Sequence, residues 1–292
     1  MARVAELLAA GKTFSFEFFP PKSDEEQATL TRTLHELDPL KPSFVSVTCR
    51  RGPASRRRTF EVVTGMLHVT SLVPVAHLTC MAHTRLELAE ILVDYRKAGV
   101  ENLMALGGDP PLRLEDAPGE LRHAVELVEL ARAVGGFSVG VAAHPAGHPA
   151  SPDLASDRRH LAAKLALADF GVTQFFFEPE LYVRLCDDVS ALGIDKPIVP
   201  GIMPVTSLAS IPRMAQMGSP VPGWACRRLE DAGRGGGEPA VRREGIAMAT
   251  ELCQALLDAG APGLHFYTLN RSTATREIYR ALGLAPALSV AG

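Results

Sequence analysis

The amino-acid sequence predicts an α/β fold in which eight parallel strands close into a (β/α) TIM barrel, as a single domain over residues 1–292. Three observations support this prediction. Eight short β-rich segments recur along the chain, helical segments separate them, and the strand segments are apolar enough to be buried on both faces. A doubly wound open sheet is the second choice. With 47% hydrophobic residues, the chain can bury a core of this size.

The predicted strands are FSFEFF (14–19), FVSVT (44–48), VAHLTC (75–80), NLMAL (102–106), SVGVAAH (138–144), TQFFF (173–177), IVPGIMP (198–204) and LHFYTL (264–269). Between them, apolar residues recur at spacings of three and four, as in 84–100 and 121–136, and these segments end near glycine, as helices do. The polar segment 227–245 is predicted to be an exposed loop before a helix over 246–260.

Composition narrows the class of partner. A formal charge of −3 gives no overall field that would gather nucleic acid or an anionic membrane, so small-molecule ligands are favoured. No stretch reaches the roughly 18 to 20 apolar residues of a membrane span, and the first residues are too weakly apolar for a signal peptide. We therefore expect a cytoplasmic protein. Its five cysteines contain no Cys-x-x-Cys pair and predict neither a disulfide framework nor a structural zinc site.

Unusual polar residues accompany seven of the eight predicted strands. In a TIM barrel the chemistry lies at the carboxyl ends of the strands, so these side chains are expected to converge on one mouth. They are Glu17, Thr48, His77, Asp109, His144 with His148, Gln174 at the start of strand six, and Asn270 with Arg271.

Glu17 is the most informative of them. It alternates with Phe16 and Phe18, so its carboxylate faces away from them, toward the barrel interior or the helix layer. A carboxylate is seldom buried without a partner or a purpose. We interpret Glu17 as a catalytic or ligand-binding residue ahead of a structural ion pair.

The other signals have simpler explanations beside the functional ones. The segment GGDPP (107–111) is explained equally well as a plain turn. The two prolines of HPAGHP (144–149) exclude a helix, so His144 and His148 indicate loop shaping or ligand contact rather than a metal site. His77 alone would be read as a buried core histidine. Gln174 could satisfy backbone groups or bind the edge of a planar heterocycle.

Taken together, the segments FSFEFFPPK, FVSVT, HLTC, GGDPP, TQFFF, PGIMPV and HFYTLNR resemble the methylenetetrahydrofolate reductase family, in the same order and across nearly the whole chain. The resemblance implies a barrel flavoenzyme of one-carbon metabolism, commonly a homo-oligomer. Such an enzyme contains FAD, takes a hydride from NADH or NADPH, and reduces methylenetetrahydrofolate to methyltetrahydrofolate.

The resemblance also implies roles for individual residues. Glu17 would be the general acid, with a pKa raised toward neutrality among Phe rings, and the charge of Asp109 would stabilise the folate iminium cation. Gln174 and Arg271 would bind the folate. The residues implied for the flavin are Thr48, His77, Gly108, Asp109, His144, His148, Asp157 and Lys164, and no metal is implied.

The chain departs from the family pattern mainly on the flavin side. The family usually has Arg where Gly107 stands, and Tyr-Gly where Cys49-Arg50 stands. His144 replaces an aromatic residue, Ala146 and Ala150 replace two Glu, and Leu208 replaces a Phe. Three alternatives therefore stay open at this point: a paralogue with weak or no FAD that reduces another iminium, a metal-dependent barrel hydrolase using Glu17, His77, Asp109, His144 and His148, and a folate-binding protein without catalytic activity.

Overall fold

The structure, a computed structural model, describes residues 2–49, 53–108 and 119–284. Its strands are β1 (Thr13–Phe18), β2 (Phe44–Val47), β3 (Pro74–Thr79), β4 (Asn102–Leu106), β5 (Ser138–Ala143), β6 (Phe170–Thr173), β7 (Ile198–Val199), β8 (Gly201–Ile202) and β9 (Gly263–Tyr267). The α-helices are α1 (Val4–Ala10), α2 (Asp24–Leu37), α3 (Pro53–Val69), α4 (Arg85–Lys97), α5 (Ala124–Val134), α6 (Leu154–Leu167), α7 (Pro179–Ala191), α8 (Ile211–Gln216), α9 (Gly223–Asp258) and α10 (Thr273–Ala281). None of these helices combines the length and the apolar character needed to cross a membrane.

The strands form one parallel sheet in the order β7-β6-β5-β4-β3-β2-β1-β9-β8. The two end strands are halves of one barrel strand, separated only by Pro200, whose missing N–H interrupts the ladder. β7 pairs with β6 and β8 pairs with β9, while the Pro200 carbonyl accepts a hydrogen bond from the His265 N–H at 2.9 Å. The predicted TIM-barrel class is therefore confirmed, with nine strands because the seventh is interrupted.

Side chains alternate between the two faces of the sheet. In β1, Phe16 and Phe18 are fully buried in the apolar layer between sheet and helices. Ser15 and Glu17 occupy the alternate positions and face the barrel interior, where Ser15 contacts His265 and Glu17 contacts His77. The interior of the barrel thus carries polar groups from the same strands whose outer faces form the core.

The amino end of the barrel is closed by apolar side chains and by α1. The α1 backbone is bound to the barrel, with the Val4 N–H donating to Asn102 Oδ1 at 2.8 Å and the Ala5 N–H to Ser138 Oγ at 3.1 Å. The apolar cluster beneath consists of Val4, Phe44, Val75, Met104, Phe170, Val172 and Val199. Because this end is filled, the polar interior groups lie toward the carboxyl ends of the strands.

Two predicted elements are wrong in their bounds or type. Strand six spans Phe170–Thr173, so Gln174 follows this strand instead of opening it. The segment 227–245 is helical and belongs to α9, whose helical backbone is interrupted at Gly236 and Gly237. Its polar residues face solvent or form ion pairs, as Arg228 does with Glu244 and Glu251 at 2.6 and 2.9 Å. The high polarity of this segment is therefore that of an exposed helix and not of a loop.

Candidate active site

Glu17 lies inside the barrel near the carboxyl end of β1. Strand pairing places it opposite Ser46 of β2 on one side and Tyr267 of β9 on the other. Its Oε2 atom lies 3.4 Å from Ser46 Oγ, 3.4 Å from His77 Nε2 and 3.5 Å from His265 Nε2. The side chain is 14% exposed, so the carboxylate is nearly enclosed and still reaches the solvent-accessible surface.

The surroundings of Glu17 differ from the prediction. Phe16 and Phe18 turn away from the carboxylate, and two imidazoles and a hydroxyl surround it instead. Burial raises the pKa of Glu17, but charge on His77 and hydrogen bonds from His265 and Ser46 lower it, and the resulting pKa lies below the ordinary value. The expected upward shift of the Glu17 pKa is therefore wrong for the free protein, because the charge interaction with His77 and the hydrogen bonds from His265 and Ser46 together outweigh burial.

The two imidazoles are not equivalent. His265 is 2% exposed, its Nδ1 lies 2.8 Å from Ser15 Oγ, and its ring stacks on Phe44 with 6.0 Å between centroids. If Ser15 donates to Nδ1, the Nε2 of His265 carries the hydrogen and points at Glu17. Burial lowers the pKa of His77, although neighbouring Glu17 opposes that shift.

His265, Ser46 and Ser15 were missed in the sequence as site residues. In hindsight His265 carried a signal, because it alternates with the fully buried Leu264 and Phe266 in the same way that Glu17 alternates with Phe16 and Phe18. What the sequence did not reveal is the register of β9 against β1, which places His265 opposite Ser15 and within reach of Glu17.

Tyr267 of β9 reaches from the side of Glu17 toward β6. Its hydroxyl donates to the Thr173 carbonyl at 2.6 Å. Gly201 makes this approach possible, since a Cβ atom there would lie 2.3 Å from the Thr173 oxygen and 2.6 Å from the Tyr267 ring. Burial and the nearby Glu17 raise the pKa of Tyr267 well above its ordinary value, so the phenol stays neutral.

Thr48 and Gly108 follow β2 and β4 at the mouth, as predicted. The Thr48 hydroxyl is buried and has no hydrogen-bond partner within the described chain. Gly108 has φ of 88°, and a Cβ there would lie 3.2 Å from the Thr79 Cβ, so both the backbone conformation and the close approach require glycine. Asp109, predicted at the same turn, lies outside the described residues.

The predicted flavin residues after β5 are bonded to one another and to the backbone. Asp157 is buried, and its Oδ1 accepts hydrogen bonds from the His148 N–H at 3.0 Å and Ser151 Oγ at 3.2 Å. Its Oδ2 accepts from Arg158 Nη1 at 3.0 Å. Arg158 is itself buried and donates to the carbonyls of His144 and Pro145 at 2.9 and 2.7 Å.

Lys164 lies on the inner side of α6. Its Nζ donates to the Ala142 carbonyl at 2.6 Å, and burial lowers its pKa to about 8. The half-buried His144 packs edge-on against His148, with 4.7 Å between ring centroids. Burial, together with His148 and Lys164, lowers the pKa of His144 to about 4, so this imidazole is neutral at physiological pH.

The two predicted folate residues lie at different places on the mouth. Gln174 follows β6, and both ends of its amide are engaged: Oε1 accepts from the Phe175 N–H at 3.0 Å and Nε2 donates to the Met217 carbonyl at 3.1 Å. Arg271 is exposed and follows β9. Across residues 2–49, 53–108 and 119–284 there is no group of three or more His, Cys, Asp or Glu able to hold a metal ion.

Comparison with known proteins identifies the family. Residues 3–283 match the model of the methylenetetrahydrofolate reductase family. A relative from Salmonella typhimurium named 5,10-methylenetetrahydrofolate reductase is 37% identical over 279 residues, covering 94% of this chain and 92% of the relative. A relative of the same name from Pectobacterium carotovorum is 36% identical, covering 93% of this chain and 90% of its own length.

More distant proteins share the fold. A probable methylenetetrahydrofolate reductase (NADPH) from Caenorhabditis elegans is 32% identical over 93% of this chain, which matches 42% of that protein. A solved structure from Clostridium thermocellum, described as binding two copies of 5-methyl-5,6,7,8-tetrahydrofolic acid, has a TM-score of 0.63 at 13% identity and covers 96% of each chain. Because the family model spans nearly the whole described chain and bacterial relatives match over nine-tenths of their length, the protein belongs to the methylenetetrahydrofolate reductase family of oxidoreductases.

Proposed function

We propose that this oxidoreductase reduces methylenetetrahydrofolate to methyltetrahydrofolate with NADH or NADPH, and that Glu17 is the general acid. The observation that carries the proposal is the position of Glu17, a nearly enclosed carboxylate at the carboxyl end of the barrel, bonded to His77, His265 and Ser46. The names of the bacterial relatives support the folate substrate. The name of the relative from Caenorhabditis elegans supports NADPH as a reductant. A relative from Oryza sativa named probable methylenetetrahydrofolate reductase (NADH), 32% identical over 97% of this chain and half of its own length, supports NADH.

The reaction needs a proton before it needs a hydride. The bridging methylene of the substrate is bonded to two nitrogens, and it becomes an electrophilic iminium only when one carbon–nitrogen bond breaks. The departing nitrogen takes the proton from Glu17, and a hydride then adds to the iminium carbon to give the methyl group. Proton and hydride together account for both hydrogens added to the product.

The surroundings of Glu17 suit both halves of this step. In the free protein the pKa of Glu17 is low, so the carboxylate must gain a proton before it can act as an acid. The Glu17 side chain is 14% exposed, so solvent reaches the carboxylate and can supply this proton. After the proton leaves, the carboxylate is again stabilised by its hydrogen bonds, and its negative charge lies near the forming cation.

Gln174 and Arg271 are the proposed folate contacts. For Gln174 to bind the pterin, its Nε2 has to exchange the Met217 carbonyl for the ligand. Arg271 is exposed at the mouth, where a cation suits a carboxylated substrate. The proposal also includes a homo-oligomer in solution, as the family resemblance implies.

FAD, which the family resemblance implies as hydride carrier, fits the described residues poorly. Thr48 could contact it through its unpaired hydroxyl, whereas Gly108 is already closely approached by Thr79. The diphosphate and ribose would need Asp157 and Lys164, whose polar atoms are bonded within the protein. His77 is likewise engaged with Glu17. We therefore derive no step through a flavin, and a second candidate is direct hydride transfer from the nicotinamide to the folate iminium.

The absorption spectrum of the purified protein distinguishes hydride transfer through FAD from direct hydride transfer between the nicotinamide and the folate. We expect colourless protein, with no flavin band, that nevertheless forms methyltetrahydrofolate from methylenetetrahydrofolate when NADH or NADPH is added without oxygen. The measurement is the spectrum as isolated and after incubation with FAD and gel filtration, followed by product analysis. Yellow protein with one FAD per chain would reject direct transfer, and no product with either nicotinamide would reject the proposed function itself.

A further inference from the structure

We propose that Asn270 is a positioning residue for the reduction of methylenetetrahydrofolate. Its side chain clamps the backbone just beyond Glu17 and so fixes the acid relative to the folate site. The inference rests on the proposed function. Asn270 follows β9, and its side chain carries two hydrogen bonds to one backbone unit of the segment after β1. Its Oδ1 accepts from the Phe19 N–H at 2.8 Å, and its Nδ2 donates to the Phe19 carbonyl at 3.0 Å.

The hydrogen bonds of Asn270 to Phe19 lie just beyond the last backbone pair of β1 and β9. The backbone pairing of β1 with β9 runs as far as Glu17 opposite Tyr267. Beyond it, Thr268 Oγ1 donates to the Glu17 carbonyl at 2.6 Å, and Asn270 then holds Phe19. Side chains thus continue the pairing that the backbone no longer supplies, over the residues directly after Glu17.

The turn that carries Asn270 has a backbone conformation that is unfavourable for most residues. Leu269 and Asn270 both have left-handed backbone, with φ of 50° and 59°. Asparagine tolerates this region better than most residues, whereas leucine does not. The turn is held in place by Thr33 Oγ1, which donates to the Asn270 carbonyl at 3.0 Å. A strained turn fixed by several bonds is typical of segments whose geometry serves a site.

The same turn also leads to the proposed folate contact. The Arg271 N–H donates to the Thr268 carbonyl at 2.9 Å, which closes the turn directly before the side chain that would bind the substrate. Asn270 therefore lies between the backbone of the acid and the backbone of Arg271. A change in this turn would alter the distance between proton donor and substrate without removing either group.

The test compares Asn270→Gly with Asn270→Asp. Glycine accepts left-handed backbone but removes both side-chain bonds, and aspartate keeps only the acceptor for the Phe19 N–H. We expect Asn270→Gly to lower kcat for folate reduction by about 10- to 100-fold, as misplacement of a catalytic group does, with an unchanged KM for the nicotinamide. Hydrogen exchange at the Phe19 amide should become faster. Asn270→Asp should lie between wild type and Asn270→Gly in both measurements.

Asn102→Ala is the matched control. Asn102 is fully buried, whereas Asn270 is half-buried, and it likewise bonds a backbone segment through both ends of its amide, to the Val4 N–H and the Ala2 carbonyl, but at the amino end of the barrel. We expect it to lower the melting temperature and leave kcat near wild type. Faster exchange at Phe19 with unchanged kcat in Asn270→Gly would overturn the proposal, as would an equal loss of kcat in Asn102→Ala. Failure of the proposed function is recognised separately, by the absence of methyltetrahydrofolate from the wild-type protein, and failure of the Glu17 role by full folate reduction in Glu17→Gln.

Discussion

Replacing Glu17 by glutamine is expected to lower folate reduction by at least about 100-fold, the lower end of what a general acid contributes. Glutamine has the same shape and can accept hydrogen bonds from Ser46 and the two imidazoles through its carbonyl oxygen, but it has no proton to give. The carbon–nitrogen bond of the bridging methylene would then break without protonation of the departing nitrogen. The measurement is steady-state formation of methyltetrahydrofolate with saturating NADH or NADPH.

Two controls make this result specific. The dissociation constant for folate, measured by titration, should change little in Glu17→Gln because the substitution preserves shape. Glu61→Gln, on the exposed face of α3 where Glu61 pairs with Arg57 at 3.0 Å, should keep wild-type activity. A Glu17→Gln protein that turns over at the wild-type rate would remove Glu17 from the chemistry. Weakened folate binding would instead assign Glu17 to substrate contact.

Replacing Arg158 by methionine is expected to destabilise the protein by about 3 to 5 kcal/mol, the usual cost of removing one partner from a buried ion pair. The change leaves the buried Asp157 without its cation and the carbonyls of His144 and Pro145 without their donor. Methionine fills similar space, so the lost free energy of unfolding arises mainly from the missing charge and hydrogen bonds and not from a cavity. The measurement is the free energy of unfolding from urea titration.

Arg184→Met is the matched control for this experiment. Both arginines contact the same oxygen of Asp188, Arg158 at 3.2 Å and Arg184 at 3.9 Å. Their side chains are 4% and 68% exposed, respectively. Because an exposed pair contributes little, Arg184→Met should cost less than about 1 kcal/mol. Equal destabilisation by the two substitutions would show that Arg158 does not organise the segment after β5.

The sequence was sufficient to predict the barrel and to place Glu17 on the face opposite Phe16 and Phe18. Eight short apolar segments separated by helical ones leave few other architectures, but alternation alone left open whether Glu17 faces the barrel interior or the helix layer. The bounds of strand six were wrong because the apolar run after Gln174 looks more strand-like than Phe170–Thr173 itself. In the same way, the polar residues of 227–245 concealed a helix.

The partners of Glu17 could not be predicted in the same way. His265 is separated from it by nearly the whole chain, and the register that places His265 opposite Ser15 is not specified by the sequence pattern. For this reason the direction of the Glu17 pKa shift was predicted wrongly, since it depends on which groups lie across the barrel. The inward orientation of Lys164 and the role of Arg158 also depend on the packing of α6 against β5, which helical periodicity does not specify.

The most direct test of the central claim is the pH dependence of kcat/KM for methylenetetrahydrofolate in the wild-type protein. An acid must be protonated to act, and the low pKa of Glu17 in the free protein means that its protonated fraction shrinks as the pH rises. We therefore predict that kcat/KM falls steadily between about pH 6 and pH 9, by up to about tenfold per unit, and that the residual rate of Glu17→Gln lacks this slope. A wild-type profile that is flat or rises over that range would contradict proton donation by Glu17.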